Sequence, residues 1–461
     1  MSSDNNSSTV FTSKLGVLVA TLGTAVGLGN IWKFPALTGQ NGGAAFVIIY
    51  IIACFALGLP LMIAEITLGR MTGKDILSTF KELAPKSVWI IIAIFSLISG
   101  ILVIAYYSDV VGWVFIYFGK SLFGGLTTTD PAIAKEIFDS VAFSAPSALL
   151  GQCITFATIA IVLMLGIHTG IERVSKIFLP ILSVLLIGIA IHNLFLEKAV
   201  DGLLFLFKPD FSKVTPLVIL EAVGLAFFKL SLAVGTLYTY GSYFPKNQNI
   251  PLVATRVMFA DLAISLIAGI AIFPAVFTYN FEVTSGTSLL FVTIPAVFAQ
   301  IPGGSLITTL FFLLTVFAAL GASIALVEVS VATLIGRGYS RPKAVLTAVI
   351  SIFALGIFAT LSLTPILSDF QIFGLPIFSL YDFCSSNIMM PIGGFFTAIF
   401  VGYAMDKKSI VQEVTSQHTF FQNRFLLEGW FILIRYVVPA LILIVLFNGL
   451  NLWSTIEAIF T

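Results

Sequence analysis

Residues 14–35 read KLGVLVATLGTAVGLGNIWKFP. The stretch opens as an apolar helix, breaks at Gly27-Leu28-Gly29, and resumes with Lys33 inside the hydrophobic run. Residues 226–240, AFFKLSLAVGTLYTY, repeat the pattern: an apolar helix meets Lys229 and is then interrupted at Leu232-Ala233-Val234-Gly235. A charge and a glycine break are both costly in a bilayer. Unwound backbone at membrane depth is tolerated only where it lines a cavity or is buried in protein, and an intramembrane ammonium points to function.

The surroundings of both stretches are membrane-like. The chain is 58% hydrophobic and 10% charged, with 44 Phe, against about 25% charged residues in soluble globular proteins. Since about 20 apolar residues cross the hydrocarbon core, the pattern predicts an all-α integral membrane protein. Eleven spans are expected, near 15–40, 44–69, 88–122, 149–167, 173–196, 216–243, 253–279, 304–335, 343–362, 375–404 and 426–449. Arg70, Lys74, Lys81, Lys86, Arg173, Lys176, Arg337, Arg341, Lys343, Lys407 and Lys408 fall on one side, and Lys120, Lys135, Lys198, Lys208 and Lys213 on the other. This bias places the N-terminus in the cytoplasm, and the odd number of spans places the C-terminus outside.

MSSDNNSSTVFTS, residues 1–13, has neither a basic leader nor a short apolar core, so it is not read as a cleavable signal. Cys54, Cys153 and Cys384 show no metal or disulfide spacing and are expected to pack. A net charge of +1 without a basic cluster gives no case for nucleic acid. No H-E-x-x-H, G-x-S-x-G, nucleotide loop or Cys/His metal set is present, so an enzyme is not expected.

One domain, 1–461, is expected, built as repeat one (about 15–196), repeat two (about 216–404) and an additional helix (about 426–449). The interrupted first and sixth helices open two five-helix sets. An odd number per set inverts the second set relative to the first. Paired breaks in inverted halves are the sequence mark of a secondary transporter with a site near the midplane. Close packing at the glycines explains one break as well, but not two at matching positions. The longer segments 123–148, 197–215 and 280–303 lie on the outer side, and 284–304 reads as a lid or as packing against the bundle.

Five stretches carry a family resemblance: TAVGLGNIWKFP (24–35), NGGAAFVIIYIIACFALGLPLMIAEITLGR (41–70), IERVSKIFLPIL (171–182), FFKLSLAVGTLYTYGSYFPKNQNI (227–250) and SNIMMPIGGFFTAIFVGYAM (386–405). They resemble the neurotransmitter:sodium symporters, in the eleven-helix bacterial branch with a leucine-transporter-like 5+5 inverted repeat; this fold is a standing example of broken-helix transport. The resemblance implies alternating access in a bacterial inner membrane, with an amino acid or similar small zwitterion as substrate. Carried over by position, the Leu28 and Gly29 amides and the Tyr107 phenol would hold the substrate carboxylate. Ala25 and Phe228 carbonyls with Ser231 would receive the ammonium. Val103, Phe228, Val234, Ala322, Ser323 and Leu326 would surround the side chain. Lys33 and Asp382 stand at the outer-gate positions, where lysine keeps the family arginine's charge but loses its bidentate fork.

The implied cation sites depart from the family. Asn30 remains at the first sodium site, but a hydroxyl is replaced by Lys229 and an asparagine by Asp261. The ammonium reads as a tethered substitute for the ion, with a purely structural ion pair as the open alternative. At the second site Gly23, Val26 and Ala318 still offer carbonyls, but Gly321 and Ala322 stand where oxygen-bearing side chains belong, so sodium there is doubtful. Chloride is not expected: Tyr50 and Ser265 remain, yet Leu225 and Lys229 replace two of its ligands. The inner-gate arginine position falls in NNSSTV (5–10) and its aspartate partner is Gly336, so closure near Glu65, Tyr243 and Glu328 is expected to use other contacts. An ordinary sodium:amino-acid symporter, a transport-dead sensor and a channel remain the alternatives.

Overall fold

A computed structural model describes residues 10–279, 287–301, 303–415 and 423–450. We number the spans α1 (Lys14–Ala25 with Gly29–Gln40), α2 (Ala44–Thr72), α3 (Ile90–Leu122), α4 (Ala145–Met164), α5 (Ile167–Asn193), α6 (Pro216–Lys229 with Thr236–Ser242), α7 (Ile250–Thr278), α8 (Gly304–Ile335), α9 (Arg341–Leu361), α10 (Ile377–Ala404) and α11 (Arg424–Gly449). Among the described residues, nine of these are continuous, apolar and long enough to cross a membrane, and α1 crosses as a pair bent by 52°. The eleventh, α6, exists only as two pieces, neither long enough alone.

Local chemistry sets these ends. Ser13 caps α1 by accepting from the Gly16 amide at 2.9 Å. Thr215 caps α6 by accepting from Val218, with Pro216 in the first turn, where proline loses no ladder hydrogen bond. The first half of α1 stops at Val26, whose backbone turns extended (φ −79°, ψ 104°). Beyond Lys229, Ser231 (φ 52°), Ala233 (φ 57°) and Gly235 (φ 85°) are left-handed. Two non-glycine residues in that region carry strain of about 1–3 kcal/mol each, a feature that concentrates at functional sites.

The core is centred on α8, with 72% of its apolar window buried against 28% for α5 and 33% for α11. The first half of α1 packs between α5, α7 and α8, and the second half of α6 packs against α2. Both broken helices are thus enclosed by continuous ones, which supply the burial that their interrupted backbones need. Leu289–Ala299 forms a short apolar helix; Phe291 is buried against Trp113, Phe138 and Tyr117. That part of 284–304 is therefore packing against the bundle, while 280–286 and Pro302 lie outside the described residues.

Candidate functional site at the paired helix breaks

The two breaks face each other across a cavity. Its wall includes Ala25, Leu28, Gly29, Val103, Tyr107, Phe228, Ser231, Val234, Ala322 and Leu326, ten of the eleven positions expected to meet substrate. Ser323 is the exception. It is fully buried and its hydroxyl donates to the Ala319 carbonyl at 2.8 Å, one turn back along α8, so it is not on this wall. Thr24, Gly27, Lys229 and Met390 complete the lining.

One end of the cavity is rich in donors. The Leu28 N–H donates to the Tyr107 phenol at 3.4 Å, which leaves the phenol's own proton free to point at an anion. The second half of α1 begins at Gly29, and a helix N-terminus favours negative charge. Across the cavity, Ser231 donates to the Thr24 carbonyl at 2.6 Å, an acceptor released by the break in α1. The Ser231 oxygen keeps lone pairs that can receive an ammonium. Glu65 ties down the other break, accepting from the Ala233 amide at 2.8 Å.

Lys229 turns from the cavity wall towards α7. Its ammonium lies 3.0 Å from Asp261 Oδ2, with both side chains fully buried, and donates to Ser265 Oγ. Asp261 is engaged on every side: Asn30 Nδ2 donates to Oδ1 at 2.7 Å, Tyr50 donates to Oδ2 at 3.3 Å, and Ser265 donates to the Asp261 carbonyl at 2.8 Å. The Asn30 side-chain oxygen, Oδ1, accepts from the Gly27 amide at 3.1 Å. Each side-chain oxygen of the expected first cation site thus already has a partner. Glycine at 29 makes room for this arrangement, because a Cβ there would lie 2.9 Å from Lys229 Cγ. The Lys229 ammonium and the Asp261 carboxylate stand in this region as a pair.

The positions of the second cation site separate. Gly23, Val26, Ala318 and Gly321 line a small cavity beside Ser175, whereas Ala322 lies on the main cavity wall. Any side chain at 321 would begin 3.0 Å from the Gly23 carbonyl. Without the hydroxyls, α8 closes directly on α1. Among the described residues no cluster of three His, Cys, Asp or Glu suits a metal.

At the expected outer gate, Lys33 and Asp382 form no ion pair. The Lys33 ammonium sits 3.8 Å from the centre of the Phe228 ring, and Asp382 accepts from Ser386 at 3.0 Å. An ammonium is attracted to the negative face of an aromatic ring, and it lacks the bidentate fork by which a guanidinium would grip the carboxylate.

The opposite end is closed by contacts the sequence did not disclose. Glu172 of α5, its side chain fully buried, accepts from the Thr12 amide (3.0 Å), the Thr12 hydroxyl (3.0 Å), the Ser13 hydroxyl (3.1 Å) and Lys176 (2.6 Å). It thereby fastens the start of α1. Glu328 pairs with Arg341 at 2.9 Å and accepts from Tyr243 at 2.7 Å. At Gly336 the space of a side chain is taken by Asp75, whose Oδ2 would lie 2.2 Å from a Cβ. A carboxylate is thus restored beside α8 from the loop after α2. The arginine position in 5–9 lies outside the described residues.

Three kinds of similarity converge on this architecture. Residues 8–136 and 140–457 match the Sodium:neurotransmitter symporter family. The chain is 37% identical over 444 residues to the sodium-dependent transporter YhdH of Bacillus subtilis, covering 96% of this chain and 98% of that one. It is 28% identical over 290 residues to the bovine sodium-dependent neutral amino acid transporter B(0)AT2, covering 57% of this chain and 40% of the relative. Among solved structures, MhsT in complex with L-phenylalanine superposes with a TM-score of 0.87 at 36% identity, covering 95% of this chain and 99% of MhsT.

Proposed function

The chain belongs to the Sodium:neurotransmitter symporter family, and from that membership we propose that it carries a neutral amino acid across the membrane with the Lys229–Asp261 pair in place of the first sodium ion. The observation that carries the reading is the fully buried 3.0 Å ion pair at the edge of a cavity built from two broken helices. Leu28, Gly29 and Tyr107 receive the carboxylate; Ala25, Phe228 and Ser231 receive the ammonium; Val103, Val234, Ala322 and Leu326 contact the side chain. An amino-acid substrate is supported by the phenylalanine bound to MhsT and by the neutral amino acid named for B(0)AT2. The N-terminus and the Glu172 and Glu328 closures face the cytoplasm, on the side richer in lysine and arginine, and Lys33 and Asp382 face outside.

The family's usual coupling to sodium is the second reading, favoured by the name of the YhdH relative. Against it stands the occupied state of Asn30, Asp261 and Ser265. Chloride has no role in the proposal, since the donors that would hold an anion, Tyr50 and Ser265, are directed at Asp261. Uptake into proteoliposomes is expected to be unchanged when gluconate replaces chloride; a clear loss would overturn that assignment.

Tyr107→Phe tests the pocket itself. A hydrogen bond to a charged group contributes about 1.5–3 kcal/mol, so the variant should bind its amino acid about 10- to 150-fold more weakly while remaining folded. Unchanged affinity would mean that the carboxylate sits elsewhere.

A further inference from the structure

The sequence-derived pocket drew on α1, α3, α6 and α8, yet the cavity wall also includes Met390 of α10. Met390 is 1% exposed, so its side chain is directed inward. It follows a seven-residue π-helical segment, Phe383–Met389, and directly precedes Pro391. A proline inside a helix lacks the N–H of the ladder, and the winding of α10 widens just before Pro391, as it does before Pro60 and Pro439.

We propose that Met390 is a specificity-determining residue, setting the size of the side chain the site accepts and favouring bulky apolar amino acids. The inference rests on the amino-acid reading of this cavity. The same cavity wall includes Val103, Val234, Ala322 and Leu326, none of which offers a polar side chain. Lys229, the charged lining residue, directs its ammonium to Asp261. A thioether on three rotatable bonds packs against aromatic and branched aliphatic groups alike, which suits large side chains of differing shape. Discrimination by one methylene in an apolar pocket is worth about 10- to 200-fold, so the length of residue 390 is enough to set a rank order.

The test is competition binding to the full purified chain, using L-alanine, L-valine, L-leucine, L-phenylalanine and L-tryptophan as probes. Wild type is expected to bind the bulky members best. Met390→Ala should raise the preference for tryptophan over leucine by about tenfold, and Met390→Phe should lower it by a similar factor. Met390→Leu, close in volume, should keep the wild-type order. Should Met390→Ala fail to fold, Met390→Phe and Met390→Leu make the same comparison. A tryptophan-to-leucine ratio unmoved by Met390→Phe, or affinities that all change by one factor, overturns the role of Met390 alone. Failure of wild type to bind any of the five overturns the amino-acid reading as well.

Discussion

Replacing Lys229 by methionine is expected to abolish amino-acid binding and to destabilise the protein by about 3–5 kcal/mol. Methionine reproduces the length and most of the volume of the lysine stem, so the packing against Gly29 survives. What is lost is the ammonium 3.0 Å from Asp261. Asn30 and Tyr50 still donate to that carboxylate, but a formal negative charge would remain buried without a counter-charge. The stability loss is read from thermal unfolding in detergent. Asp261→Asn added to the same chain removes the stranded charge and keeps an acceptor for Asn30; it should recover most of the stability without recovering tight binding. A single variant as stable as wild type would show that the pair carries little of the local electrostatics.

The second large effect is expected at the other end of α1. Glu172→Ala removes the acceptor of the Thr12 amide, the Thr12 hydroxyl and the Ser13 hydroxyl together. The cavity it leaves beside Gly16 is substantial, since a Gly16 Cβ would lie 2.0 Å from Glu172 Oε1. Hydrogen bonds to a charged group contribute about 1.5–3 kcal/mol each, and the hydroxyls regain part of this from water. A net shift of about 3 kcal/mol moves a two-state equilibrium by roughly two orders of magnitude. The first half of α1 should then swing free, and a cysteine introduced at Gly23 should react with a thiol reagent at least tenfold faster than in the unsubstituted background. Glu172→Gln, which keeps an acceptor oxygen, should fall between the two. No change in reactivity would mean that Glu328 and Arg341 alone hold the closed end.

Much of this was legible in the sequence because the decisive signals are local. Breaks at Gly27–Gly29 and Leu232–Gly235 interrupt apolar runs, and a bilayer leaves unwound backbone few places to be. The pairing of Lys229 with Asp261 was implied by the family resemblance, which sets both residues at one cation site. What stayed hidden depends on winding and on distant side chains. Met390 reaches the cavity after a π-helical segment that no apolar periodicity discloses. Ser323 faces a carbonyl one turn back, which its position in the α8 sequence does not reveal. Asp75 fills the space at Gly336 from a loop more than 250 residues away in the chain. Lys33 lies on the Phe228 ring and forms no ion pair with Asp382, because one ammonium has several satisfactory partners.

The claim that the Lys229–Asp261 pair stands in place of a mobile cation is tested most directly by amino-acid binding with sodium replaced by choline. Wild type should bind equally well in the two salts. Lys229→Thr with Asp261→Asn restores a hydroxyl and an amide beside Asn30, and that double variant should bind at least tenfold more tightly in sodium than in choline, because the buried substrate carboxylate again needs a free counter-ion. Wild type that binds only in sodium would contradict the account and return the first site to an ordinary sodium ion.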